Sequence, residues 1–160
     1  MFRAQLLLFI LMKVLTANIA KAATVGPNNM SMTASVAAAC NISAAGLTFT
    51  AYAGSSTTAT TTISAACTNG TAYSIDLNAG TGSGATTATR ILTNTSSSSY
   101  TVGYSVYTSS AYTTVCATGC ISSQTGNGQT QTYTVYGKTN TTSNPYYGNY
   151  TDTLTATVNY

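Results

Sequence analysis

The chain has 160 residues, 44% of them hydrophobic and only 4% charged, with five lysines and arginines, two acidic residues and no histidine. Without histidine, neither Ser-His nor Cys-His activation of a nucleophile is available, and the two acids, Asp76 and Asp152, form a glycosidase-type pair only if they meet across the fold. The formal charge of +3 falls to zero once Arg3, Lys13 and Lys21 are set aside, leaving Arg90 and Lys138 against the two aspartates, too sparse a set of cations to neutralise nucleic-acid phosphates.

The first segment has a basic start at Met1-Phe2-Arg3, an apolar run from Leu6 to Met12, and small residues at Ala20 and Ala22 ahead of Ala23. This is the layout of a secretory signal peptide over residues 1–22, cleaved after Ala22. Its uninterrupted apolar run is far shorter than the roughly 20 residues a bilayer span needs, so no stable membrane insertion is expected. The remainder suits one domain with a single core. Thr, Ser, Asn and Gly supply its polarity in place of charge, which suits a protein that works outside the cell or packs against copies of itself.

After a turn-like tail through Gly26-Pro27-Asn28-Asn29, the stretch Met30-Ser31-Met32-Thr33-Ala34-Ser35-Val36 alternates strictly, with Met30, Met32, Ala34 and Val36 on one face. By its pattern alone this is an ordinary first strand. Further runs of period two follow at Ile63, Ala65 and Cys67, at Tyr73, Ile75 and Leu77, at Val102, Tyr104 and Val106, and at Tyr133 and Val135. Thr, Val, Ile and Tyr all favour strands. Turn-forming stretches separate the runs at Thr68-Asn69-Gly70-Thr71, from Asn78 to Gly84, and at Gly126-Asn127-Gly128, the spacing of an all-β sandwich. The clearest run is the last. Over Thr151–Tyr160, Leu154, Ala156, Val158 and Tyr160 point one way and the threonines and Asn159 the other, so a single half-buried strand is expected, with nothing after it to cover its outer edge.

Four cysteines in an exported chain form two disulfides, with three pairings open. Cys40 with Cys67 and Cys116 with Cys120 is the favoured set. Ala117-Thr118-Gly119 reads as a three-residue hairpin loop with glycine at the left-handed position, which would set Cys116 opposite Cys120. A Cys40–Cys67 bridge closes a loop of about 27 residues, worth about 3 kcal/mol or slightly more by chain entropy. A zinc site is disfavoured by the missing histidine and the oxidising compartment; no metal, cofactor or catalytic residue is expected. Gly80-Thr81-Gly82-Ser83-Gly84 lacks the lysine and following helix of a phosphate cradle and reads as a flexible hairpin loop. Arg90 reads as a strand-end residue bonding to backbone or carboxylate. Tyr146, Tyr147 and Tyr150 form an aromatic cluster for packing or a subunit contact, with stacking on sugars as the alternative.

The alternating arm before Cys40-Asn41-Ile42, then Leu47-Thr48-Phe49, Cys67-Thr68-Asn69-Gly70-Thr71 with Tyr73, Arg90, Tyr104-Ser105-Val106-Tyr107-Thr108, Tyr133-Thr134-Val135-Tyr136-Gly137 and the ending from Gly148 to Tyr160 occur in a fixed order. In that order and spacing the chain resembles the spore coat protein U family, which includes the major subunits of archaic chaperone–usher pili of the Csu type. The resemblance implies an incomplete immunoglobulin-like β-sandwich, residues 39–160, completed by a donor strand from a neighbouring subunit. It makes residues 23–38 the donor arm, presenting Met30, Met32, Ala34 and Val36, and puts Leu154, Ala156, Val158 and Tyr160 at the acceptor groove. It further implies other pilin copies as partners, a periplasmic chaperone and an outer-membrane usher during assembly, and an extracellular fibre at the cell surface for adhesion or biofilm formation. The rival reading is a monomeric secreted sandwich whose tyrosine-rich loops bind carbohydrate or other surface ligands.

Overall fold

The computed structural model describes residues 25–141 and 145–160; the expected leader, residues 1–22, lies outside the described residues. The chain divides into two compact units, Met1–Ser35 and Val36–Tyr160. Every strand found among the described residues belongs to the second: β1 (Cys40–Ala44), β2 (Thr58–Cys67), β3 (Ala72–Leu77), β4 (Arg90–Asn94), β5 (Thr101–Tyr107), β6 (Ile121–Thr125), β7 (Thr130–Thr139), β8 (Tyr150–Thr151) and β9 (Ala156–Asn159). They form a six-stranded sheet in the order β1-β2-β7-β5-β4-β8 and a three-stranded sheet in the order β6-β3-β9. All pairings are antiparallel.

The period-two runs of the sequence become the two inner faces. Ile63, Ala65 and Cys67 of β2, Val135 of β7 and Tyr104 and Val106 of β5 meet Tyr73, Ile75 and Leu77 of β3 and Ile121 of β6 in one buried cluster. Alternation works here because successive side chains leave a strand on opposite faces. The outer faces of β2 and β7 are hydroxyl-rich, and Ser64 and Thr132 bond to each other across them at 3.1 Å.

Cys40 and Cys67 are direct register partners at the end of the β1–β2 ladder, with Cα atoms 4.1 Å apart, and are bridged. Cys116 and Cys120 are also bridged, at a Cα separation of 4.5 Å, but not across a hairpin. The Cys116 amide donates to the Val106 carbonyl at 2.7 Å, in the larger sheet, whereas Ile121 begins β6 beside β3 in the smaller one. The segment is therefore a crossing from sheet to sheet. Gly119 does take the left-handed φ of 61°, and its amide donates to Asp76 Oδ1 at 2.6 Å.

Two further expectations are corrected. The run Thr151–Tyr160 is not one strand: β8 pairs with β4 in the larger sheet and β9 with β3 in the smaller. Both halves face the same interior, so the alternation continues unbroken through the change of sheet. The 80–84 loop is not loose either, since Thr81 donates its amide and its hydroxyl to Asp152 Oδ1 at 2.7 and 3.0 Å.

Arg90 stands at the start of β4 but is fully buried. Its guanidinium bonds only to backbone: Nε to Asn78 O at 2.9 Å, Nη1 to Thr87 O at 2.8 Å, and Nη2 to Leu77 O and Cys116 O at 3.2 and 3.1 Å. One side chain thus ties the end of β3, the following loop and the sheet crossing together. Burial lowers its pKa from the usual guanidinium range, while Tyr104 and Asp152 act in the opposite sense. A leucine at this position would leave two buried and two part-buried carbonyls without this donor, each buried one costing about 1–3 kcal/mol. Arg90→Leu is expected to lose at least about 3 kcal/mol of stability, read as a fall in the urea midpoint; an unchanged midpoint would show that the carbonyls find other donors.

Candidate functional site

The site follows from where β1 stops. Its ladder on β2 covers only Ile63–Cys67 and ends with the Ala45 amide on the Thr62 carbonyl at 3.0 Å. Beyond this point β2 keeps β7 on one side, from Thr58 paired with Lys138 onward, and no strand among the described residues on the other. Among the described residues, 46–56 form no backbone–backbone hydrogen bond, an edge that a further strand could pair with. The segment is held to the domain by side chains instead. Leu47 and Phe49 are half-buried and dock on Gly137 of β7, where an added Cβ would come within 2.8 Å of Phe49 Cζ. Phe49 meets Tyr104 edge to face at 5.8 Å, and the Tyr52 hydroxyl donates to Asn140 O at 2.6 Å.

Facing this segment across a gap is the stretch 148–156, where the chain changes sheets. Between them lies a groove of two cavities, about 470 and 310 Å³, that share Leu47, Phe49, Leu92 and Asp152 in their walls. The smaller reaches Ile63, Leu77, Val106 and Val135, which are 1–5% exposed and belong to the central core. The interior is thus only thinly covered along this line, with apolar side chains at depth and threonines, Asn149 and Asp152 towards the rim.

Asp152 is the one charged residue in the groove wall. Its Oδ2 accepts the Tyr104 hydroxyl at 2.8 Å, and its Oδ1 accepts from Thr81 and from its neighbour's amide, Thr153 N, at 2.8 Å. The carboxylate is therefore occupied in fixing the wall. Tyr104 is pushed well above the usual phenol range, first by burial and then by its bond to Asp152 and that group's charge, with Arg90 pulling the other way. Asp76 holds other partners, Gly119 N and Asn159 Nδ2 at 2.6 and 3.0 Å, so the two carboxylates serve separate positions. Among the described residues, no group of three or more His, Cys, Asp and Glu is placed to hold a metal.

Of the residues assigned to the acceptor groove, Leu154 and Ala156 line it. Val158 pairs with Ile75 and packs on the core without lining either cavity, and Tyr160 is 63% exposed beyond the end of β9. In the first unit, Met30, Met32 and Ala34 lie outside any strand and are exposed, as is Val36 at the start of the second. Leu47, Phe49 and Leu92 are groove residues that the alternation did not single out. Leu47-Thr48-Phe49 carries a two-residue periodicity, too short to separate from chance, and its docking depends on a glycine some ninety positions away.

A family model described as the Spore Coat Protein U domain matches residues 27–157. The chain belongs to the spore coat protein U family. No curated protein sequence matches it. Among solved structures, the CsuC–CsuE chaperone–tip adhesion subunit pre-assembly complex from the archaic chaperone–usher Csu pili of Acinetobacter baumannii matches with a TM-score of 0.59 and 18% identity, over 78% of this chain and 40% of that one. This spore coat protein U chain thus shares the immunoglobulin-like fold of chaperone–usher pilus subunits and spans about two fifths of the chain it matches. A chaperone–tip adhesin complex of CFA/I fimbriae aligns at a TM-score of 0.40 and 12% identity, over 74% of this chain and 41% of that one.

The electrostatics of the groove predict an alkaline limit for this spore coat protein U fold. A tyrosine whose pKa is raised by folding contributes stability in full below its unfolded value, about pH 10, and loses it as pH rises towards the folded value. Tyr104 shifts in this sense, and Tyr133 is raised to about 12 by burial and its bond to Tyr73. With no histidine to titrate, the urea midpoint is expected to stay level between about pH 6 and 9 and to fall above about pH 10. Tyr104→Phe should lower the midpoint at neutral pH, by about 1–2 kcal/mol for the lost partner of Asp152, and flatten the alkaline fall. An equally steep fall in the variant would assign the limit to other groups.

Proposed function

We propose that the chain is a structural pilus subunit that polymerises by donor-strand exchange. The arm of one copy, residues 23–38, enters the groove of the next and presents Met30, Met32, Ala34 and Val36 to its apolar floor. The observation that carries this reading is the groove itself: core residues Ile63, Val106 and Val135 line an open cavity between segment 44–49 and segment 152–156, and among the described residues 46–56 take part in no backbone–backbone hydrogen bond. An extended peptide supplies both missing elements, main-chain hydrogen bonds at the rim and alternate side chains pointing inward. Each buried side chain contributes about 1–3 kcal/mol, so four in register make a durable junction.

On this reading the exposed apolar groove needs protection before assembly. A periplasmic chaperone occupies it first, an outer-membrane usher oversees the exchange, and the product is an extracellular fibre at the cell surface serving adhesion or biofilm formation. Residues 1–22 direct export, the arm spans 23–38, and the receiving domain is 39–160. The role is structural rather than enzymatic.

Two variants separate giving from receiving. A chain lacking residues 23–38 keeps its groove and loses its arm; Ala156→Arg keeps the arm and fills the groove. Neither is expected to polymerise alone, and an equimolar mixture should give a one-to-one dimer on size-exclusion chromatography. Polymer from the arm-deleted chain would overturn the proposal. So would failure of that chain to fold beside a chaperone, because the arm would then be an internal strand.

A further inference from the structure

A second feature lies where β4, β5 and β8 come together. Tyr100, just before β5, stacks on Tyr146 with ring centroids 4.0 Å apart and 2° between the planes, and Tyr147 lies against Tyr146 at 4.7 Å and 33°. These rings face water: Tyr147 is 81% exposed, Tyr100 42% and Tyr146 39%.

The backbone beneath them is clasped. Asn94, 3% exposed, donates from Nδ2 to Tyr147 O at 3.2 Å and accepts at Oδ1 from the amides of Ser96 and Ser97 at 2.9 and 3.1 Å. The same residue's amide donates to Tyr100 O at 2.9 Å, and Thr95 N donates to Asn149 O at 2.8 Å. The Tyr150 hydroxyl donates to Tyr146 O at 2.7 Å. Gly148 permits the approach, since a Cβ there would come within 2.8 Å of Asn94 Nδ2. Both loops that carry the rings are thus fixed by one buried amide. Exposed aromatic groups on a fixed backbone lose little freedom on binding, which is how an aromatic recognition surface is pre-organised.

We propose that Tyr100, Tyr146 and Tyr147 form a stacking platform for neutral polysaccharide. Charge selects the ligand class. Of the charged side chains outside the leader, Arg90 is buried, Asp152 is held by Tyr104 and Thr81, Asp76 by Gly119 and Asn159, and Lys138 lies over Tyr112, 5.5 Å from its centroid. The platform therefore offers ring faces and phenolic hydroxyls without an ionic partner, which suits the apolar C–H face and hydroxyl rim of an uncharged sugar. Size argues against a protein partner. With Tyr147 81% exposed but Tyr100 and Tyr146 only 42% and 39%, the three rings offer well under the roughly 800 Å² that each partner contributes to a standard protein interface. In a fibre the platform would recur in every subunit, and weak sites add through avidity. Binding at one platform does not depend on polymerisation.

The test is retention of the secreted full chain on cellulose, chitin and mannan particles, comparing the native chain with Tyr147→Ala and Tyr147→Phe at matched urea midpoints. The native chain should be retained on at least one polysaccharide and released by the corresponding soluble oligosaccharide. Tyr147→Ala should weaken retention by about three- to tenfold per site, and Tyr147→Phe should keep most of it. Failure of the native chain to bind any of the three, or equal binding by Tyr147→Ala, would overturn the proposal. Weakened self-association in Tyr147→Ala with retention intact would overturn it too, assigning the rings to a contact between copies.

Discussion

β1 accompanies β2 for only five residues, and from there the space between the two sheets is open to the outside. Ile63, Val106 and Val135 stay buried there but only beneath a thin cover, so the burial that holds any sandwich together is weakest along that line. The rest of the molecule is arranged around this opening. Leu47 and Phe49 lean on Gly137 instead of continuing a ladder, Asp152 is drawn into the wall by Tyr104 and Thr81, and the final segment passes from one sheet to the other at the groove's edge.

A domain with one thin side needs its remaining sides tied firmly. Cys40–Cys67 closes the far end of the β1–β2 ladder, opposite the point where the ladder fails. Arg90 gathers Leu77, Asn78, Thr87 and Cys116 at the turn out of β3, and Cys116–Cys120 pins the sheet crossing beside it. A buried guanidinium is tolerable here because its bonds go to carbonyls that would otherwise lack donors. Among the described residues no buried side-chain nitrogen or oxygen is left without a partner.

The strands of the core were legible in the sequence because a sandwich buries one face of each strand, and alternation reports burial directly. That is why Ile63, Ala65 and Cys67, Tyr73, Ile75 and Leu77, and Val102, Tyr104 and Val106 all emerged as inward-facing residues. Alternation carries no information on which sheet a strand joins, so the break between β8 and β9 was invisible. Spacing alone could not distinguish a Cys116–Cys120 hairpin from a crossing, since a three-residue loop suits both. Arg90 was placed at a strand end and made to bond to backbone or carboxylate; its complete burial depends on four carbonyls brought together only by the fold. At the groove, Leu154 and Ala156 could be read from the final run, whereas Leu47 and Phe49 required knowledge of a distant glycine.

The arm and the groove pose complementary problems within one sequence. Met30, Met32 and Val36 are 79–85% exposed, an unfavourable state for side chains of that size, and the groove leaves Leu47, Phe49, Leu92 and Leu154 in its wall only half-covered. Under the proposed reading, one intermolecular event relieves both exposures, and the scarcity of surface charge removes the repulsion that would otherwise keep copies apart.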